Sequence, residues 1–249
     1  MSVKPFCLIT IRDSDEVADA EAASVRAFGG LAPGELVQVR PEITPLSQLR
    51  LDDYSGIIVG GSHFNASDEV KDDEQIAIEA DLGRIVDESI ERDHPLLGVC
   101  YGLGFVARRL GGTVDKRFGE KAGVTTVEVT AHGENDPLFE GLPTSFLAFT
   151  GHKEACSLLP DDAVLLATGR ACPVQAFRVG KRVYLTQFHV ELDAGTLEQR
   201  MRIYADYGYF RPEELEMLVE ENHSAGVGEE PRSIMARFCS VMREEREES

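Results

Sequence analysis

Short apolar runs alternate with longer amphipathic stretches through the first hundred residues. "FCLITI" (6–11), "ELVQVR" (35–40), "SGIIVGG" (55–61) and "HPLLGVC" (94–100) are compact, mostly apolar and bounded by turn residues, which predicts four β-strands. "SDEVADAEAASVRAFGG" (14–30) reads as a helix, with Ser14 as its N-cap, acidic residues in its first turn and Gly29-Gly30 at its stop. "EQIAIEADLGRIVDESIERD" (74–93) places apolar residues near helical spacing and predicts a second helix. "SGIIVGG" has the near-continuous apolar character of a strand covered on both faces. Together these elements predict an α/β fold, a mostly parallel sheet with helices on both faces, whose ligands bind outside the carboxyl ends of the strands.

The pattern changes after residue 112. "GVTTVEVT", "SFLAFTG", "AVLLATG", "PVQAFRV" and "RVYLTQF" are short and β-rich, with Gly180-Lys181 as a hairpin turn between the last two. They predict antiparallel additions to the same sheet. From Ala194 onward "TLEQRMRIYADYGYF", "PEELEMLVEEN" and "PRSIMARFCSVMREEREES" read as a helical C-terminal tail, broken by "HSAGVGEEP". The expectation is a single domain over 1–249, with a core of about 1–193 and a helical extension of about 194–249.

Composition narrows the function classes. Hydrophobic residues make up 43% and charged residues 28%, as in ordinary globular chains, and no apolar run reaches the roughly 20 residues of a spanning helix. "MSVKPFCLITIR" runs into charged sequence without a signal-peptide cleavage pattern, so a cytoplasmic location is expected. The 5 cysteines are odd in number, irregularly spaced and lack a CxxC pair, so neither a disulfide framework nor a zinc site is expected and no metal is assigned. A formal charge of -19 repels phosphate, which argues against nucleic-acid and membrane partners.

"GVCYGLGFVARRLGG" (98–112) carries the chemistry. Cys100 falls where an apolar strand meets a helix, between Gly98 and Gly102, which let neighbouring backbone approach closely; this is the pattern of a nucleophile elbow. Leu103, Val106, Ala107 and Leu110 give the helix a buried face, and Gly111-Gly112 ends it. The helix N-terminus is expected to favour the thiolate and lower a thiol pKa that starts near ~8.5. The competing reading of Cys100 is a small core residue, since free cysteine is often buried.

A nucleophilic thiol needs a base, and the base an orienter. "RVYLTQFHVELD" supplies His189 at a strand end and Glu191 two residues on, on the same side of an extended chain. Oxyanion donors are expected from the backbone N–H groups of Gly61, in "IIVGGS", and Tyr101; Gly60-Gly61 also fits a plain turn. His63, beside this turn, reads as a loop histidine or a pocket residue.

Taken together, the elbow, the GG pair, "DPLFEGLP", "CPVQAF" and "QFHVELD" resemble the class I glutamine amidotransferase family, and in particular its GMP synthase-like members. The resemblance runs from about "GIIVGG" to "QFHVELD". It implies a flavodoxin-like fold, Cys100 as nucleophile, His189 as base, Glu191 as its orienter, and a γ-glutamyl thioester formed from glutamine with loss of ammonia. It implies no cofactor, and a separate ammonia-accepting synthetase as partner. Two positions depart from the family pattern: Gly104 stands where a substrate-contacting glutamine is usual, and Val190 where proline is usual. His152, in "FTGHKEACS", falls on a loop that in the family lies near the bound amino acid. A γ-glutamyl hydrolase acting on another γ-glutamyl amide, and a non-catalytic regulatory or binding module retaining the fold, are the alternatives.

Overall fold

The computed structural model describes residues 4–247, with side chains through residue 243. The first half runs β1 (Phe6–Ile11), α1 (Asp15–Phe28), β2 (Leu36–Val39), β3 (Ile57–Ser62), α2 (Asp73–Glu91), β4 (Leu96–Val99) and α3 (Tyr101–Arg109). The second half adds β5 (Thr113–Asp115), β6 (Glu120–Val129), α4 (Ala131–Glu134), β7 (Ser145–His152), β8 (Ala155–Leu158), β9 (Ala163–Thr168), β10 (Ala176–Val179) and β11 (Val183–Thr186). The tail contains α5 (Ala194–Ile203), α6 (Leu215–Ser224) and α7 (Glu230–Glu247).

Nine strands form one sheet in the order β2-β1-β3-β4-β11-β10-β9-β6-β7, while β5 and β8 pair separately. The pairs β2-β1, β1-β3, β3-β4 and β4-β11 are all parallel, which is the 2-1-3-4-5 order of flavodoxin-like sheets with β11 as the fifth strand. From β11 outward the pairing turns antiparallel, through a hairpin at Gly180, whose φ of 60° is one glycine adopts without strain.

Period-2 strands bury both faces. Cys7, Ile9 and Ile11 of β1 pack with Ile78, Leu82, Ile85 and Val86 of α2 and with Leu103, Val106 and Ala107 of α3. The alternate residues Phe6 and Leu8 pack on the other face with Ala22 and Val25 of α1 and with Ile234, Met235, Phe238 and Cys239 of α7. Each such side chain contributes about 1.5–3 kcal/mol on leaving water, which explains why the tail lies against the sheet. Ser14 caps α1 by accepting from the Val17 N–H at 3.4 Å. The helix expected over residues 196–210 stops at Ile203, and Tyr204–Phe210 form turns with a positive φ at Gly208. Those turns fold back over the carboxyl ends of the strands.

Candidate active site

Cys100 follows the last residue of β4 and has φ 53° and ψ -96°, a conformation that strains any side chain beyond Cβ. Three backbone approaches hold it there. The Cys100 N–H donates to Thr186 O at 2.7 Å, a Cβ on Gly98 would lie 3.1 Å from the Gly102 carbonyl carbon, and a Cβ on Gly102 would lie 3.1 Å from Val59 O. The elbow glycines are therefore required by close packing.

The strand register brings the histidine to this point. Val99 pairs with Thr186, so β4 and β11 end side by side, and His189 lies three residues past the end of β11. Phe188 and Val190 are fully buried, while His189 and Glu191 take the alternate positions. The His189 N–H donates to Phe149 O at 2.9 Å, and its ring Nδ1 lies 2.7 Å from Glu191 Oε1. That contact directs Nε2 away from the carboxylate. Cys100 and His189 line one cleft, of about 490 Å³ including its open mouth, together with Gly61; no direct sulfur-to-ring hydrogen bond joins them among the described residues.

Two guanidinium groups reach the same cleft. Arg200, from α5, donates to Glu191 Oε1 at 3.2 Å and lies 3.6 Å from Glu21 Oε1. Arg12, one residue past β1, pairs with Glu21 at 2.6 Å, and all four side chains are buried or nearly so. Arg12-Glu21-Arg200-Glu191 is thus a continuous chain of charges ending at the histidine. It also explains Gly60-Gly61: β3 continues through Ser62, and a Cβ on Gly60 would sit 2.7 Å from Glu21 Oε2, one on Gly61 2.6 Å from Arg12 Nη2. The glycine pair makes room for the ion pair instead of making a turn.

Burial pushes the Cys100 thiol up to about 12; Arg12 and Arg200 pull it down, against Glu191 and Glu154. This corrects the expectation of a thiolate favoured by the helix N-terminus, because desolvation of the charged sulfur outweighs the dipole. Burial also acts to raise the Glu191 carboxyl, but His189 and Arg200 outweigh it and hold that group well below the usual carboxylate range. The resting pair is a neutral thiol and a carboxylate-anchored imidazole.

On the other side of Cys100 a smaller cleft is lined by Tyr101, Gly104, His152, Lys153, Glu154 and Gln187, among others. A Cβ on Gly104 would lie 3.4 Å from Glu154 Oε1, so the Glu154 carboxylate takes the space beside this position. Tyr101 begins α3, and its hydroxyl donates to Glu79 Oε1 at 3.0 Å. His152 is buried, with Nδ1 2.9 Å from Glu154 O and Nε2 3.0 Å from Glu120 Oε2. Glu120, His152 and Cys172 bring ligand-type atoms within 4.8 Å of one another, and Gln175 donates to the same Glu120 oxygen at 2.9 Å. Their residue types suit a cation, while the hydrogen bonds present already link three of the four. His63 packs its ring on Phe64, with centroids 4.0 Å apart, and lines neither cleft.

Of the residues that the sequence points to, Cys100, Gly61, His189, Tyr101, Gly104 and His152 lie around these two clefts, with Glu191 bonded to His189. Arg12, Glu21, Arg200 and Glu154 belong to the site without having been expected there. Arg12 had a usable signal, a charged residue at the carboxyl end of a parallel strand; Arg200 had none, because tertiary packing alone brings α5 to the site.

An elbow cysteine beside a carboxylate-bound histidine, at the carboxyl edge of a 2-1-3-4-5 sheet, defines a cysteine-hydrolase type of site. The family model described as glutamine amidotransferase class-I matches residues 30–203. The chain belongs to the class-I glutamine amidotransferase family, a family of enzymes. It is 33% identical over 144 residues to a glutamine-hydrolyzing subunit of GMP synthase from Thermoplasma acidophilum, covering 57% of this chain and 66% of that protein. Against the corresponding GMP synthase subunit from Thermococcus kodakarensis it is 31% identical over 161 residues, covering 64% of this chain and 78% of the relative. A glutamine amidotransferase crystal structure from Thermotoga maritima superposes with a TM-score of 0.77 at 21% identity, covering 98% of this chain and 100% of the other, which establishes the shared fold. No helix among the described residues is long and apolar enough to cross a membrane.

Proposed function

We propose that the protein hydrolyses L-glutamine to glutamate and ammonia through a thioester on Cys100, and that the ammonia passes to a separate synthetase subunit. The observation that carries this reading is the strained elbow conformation of Cys100 in one cleft with a His189-Glu191 pair held at 2.7 Å. Because the resting thiol is neutral, its proton passes to His189 Nε2 as sulfur attacks the γ-carbonyl carbon. Glu191 accepts from Nδ1 and stabilises the imidazolium that forms. The tetrahedral oxygen receives hydrogen bonds from the Gly61 and Tyr101 N–H groups. The imidazolium then protonates the amide nitrogen, ammonia leaves, and the γ-glutamyl group stays on sulfur. Water, deprotonated by the same nitrogen, attacks the thioester carbon, and glutamate leaves as the thiol re-forms.

The similarity to glutamine-hydrolyzing GMP synthase subunits supports the partner. In this reading the chain acts as one unit, because α5, in the helical extension, supplies Arg200 to Glu191.

A second reading has its own observation. The cleft on the His189 side is walled by Leu192, Leu197, Met201, Tyr204, Tyr209 and Phe210, which suits an amine leaving group larger than ammonia. One assay separates the two: purified protein and Cys100→Ala given L-glutamine or N-alkyl γ-glutamyl amides, with glutamate and released amine measured. Turnover of glutamine that Cys100→Ala lowers by about 10⁴-fold or more supports the first reading. Cysteine-dependent turnover of the substituted amides alone favours the second, and turnover unaffected by the substitution contradicts both.

A further inference from the structure

We infer that Glu154 and Lys153 form the receptor for the α-amino-acid end of the substrate, Glu154 taking the α-ammonium and Lys153 the α-carboxylate. The inference rests on the glutamine-hydrolase reading and supplies what Gly104 lacks.

The smaller cleft contains one acidic and one basic side chain, adjacent in the chain, beside Cys100. Glu154 is only 8% exposed, and its two oxygens accept from the Ala66 N–H at 2.6 Å and the Ser67 N–H at 2.9 Å. These bonds use about half the lone-pair directions of a carboxylate, so the group is held rigidly with acceptor capacity to spare. It also stands 3.4 Å from where a side chain at position 104 would begin, so the charge occupies the place from which an amide side chain would contact substrate.

Lys153 is positioned as firmly. Its Nζ donates to Tyr207 O at 2.6 Å and lies 4.6 Å from the centre of the Tyr209 ring, and no carboxylate pairs with it among the described residues. Two of its three donor hydrogens therefore remain for a ligand. The other cations near Cys100 are committed, Arg12 to Glu21 and Arg200 to Glu191 and Glu21. The amino-acid end of glutamine carries both charges about 5 Å from its γ-carbonyl carbon by standard bond lengths, a reach matched to a receptor in the cleft next to the nucleophile. Because the charges are complementary and partly desolvated, a ligand missing either one leaves a protein charge unpaired, which rejects it strongly.

The test is calorimetric binding to full-length Cys100→Ala protein of L-glutamine, glutaramate (which lacks the amino group) and 4-aminobutanamide (which lacks the carboxylate). Ammonia release by the unsubstituted protein is read alongside. Each truncation is expected to weaken binding about tenfold to a hundredfold. Glu154→Gln is expected to weaken L-glutamine similarly but leave glutaramate unchanged; Lys153→Met should weaken L-glutamine but leave 4-aminobutanamide unchanged. If both variants weaken all three ligands equally, or if L-glutamine binds no better than its truncated forms, the assignment is overturned. The pattern of selective losses without ammonia release would keep the receptor and remove the hydrolase reading, and ammonia release without the pattern would do the reverse.

Discussion

Replacing Glu191 by glutamine is expected to lower kcat for glutamine hydrolysis by about 10³- to 10⁴-fold, with KM and fold largely retained. Glutamine is nearly isosteric, so the cleft keeps its shape. An amide nitrogen facing His189 Nδ1 would favour the tautomer with its proton on Nε2, where it cannot accept the thiol proton. The loss is large here because Cys100 starts as a thiol held near 12, so attack depends on a base strong enough to take its proton. Arg200 keeps Glu21 as a counter-charge at 3.6 Å, which limits the structural cost. Steady-state ammonia release with thermal melting of the same samples checks this; a loss below tenfold in a protein of unchanged Tm would remove Glu191 from the mechanism.

Glu21→Gln is expected to have the largest effect on stability. Glu21 is 1% exposed and is the partner of Arg12 at 2.6 Å, with Arg200 nearby. Removing its charge leaves a buried guanidinium without a counter-ion, at a cost of about 3–5 kcal/mol. In a domain of this size that corresponds to a Tm decrease of about 6–20 °C. The pair itself is worth less than its disruption, because both charges were desolvated to form it. Combining Glu21→Leu with Arg12→Met should therefore recover much of the Tm. A Glu21→Gln protein that melts with the unsubstituted one would show that the buried chain of charges is not what holds the first strand and helix against the site.

How far the sequence reveals this arrangement depends on the range of the interaction. Ser14, the acidic first turn and Gly29 are local signals, and α1 has the predicted boundaries. Cys100 is legible because Gly98 and Gly102 mark a close approach, and His189-Glu191 because period 2 puts both on one side of an extended chain. The antiparallel second half follows from the same alternation. The ion pair under Gly60-Gly61 is not legible, since a GG pair reads equally as a turn, and residues 12 and 21 meet only once α1 packs on the sheet. The ionisation of the thiol escapes the sequence for a related reason: a helix N-terminus can be seen there, whereas desolvation is a property of the assembled cleft. α5 stops at Ile203 although apolar and aromatic residues continue beyond it, because Tyr204 and Phe210 turn inward to cover the site.

Cys100, among 5 cysteines, is the one positioned to attack a glutamine-shaped electrophile. The other four are buried, whereas Cys100 opens on both clefts. Incubation with a γ-diazoketone analogue of L-glutamine, followed by peptide mass mapping, tests this directly. The expected result is a single adduct on the peptide containing Cys100, prevented by excess L-glutamine and lost in His189→Ala. An unmodified Cys100 in folded protein, or label spread over the other cysteines at a similar rate, would contradict it.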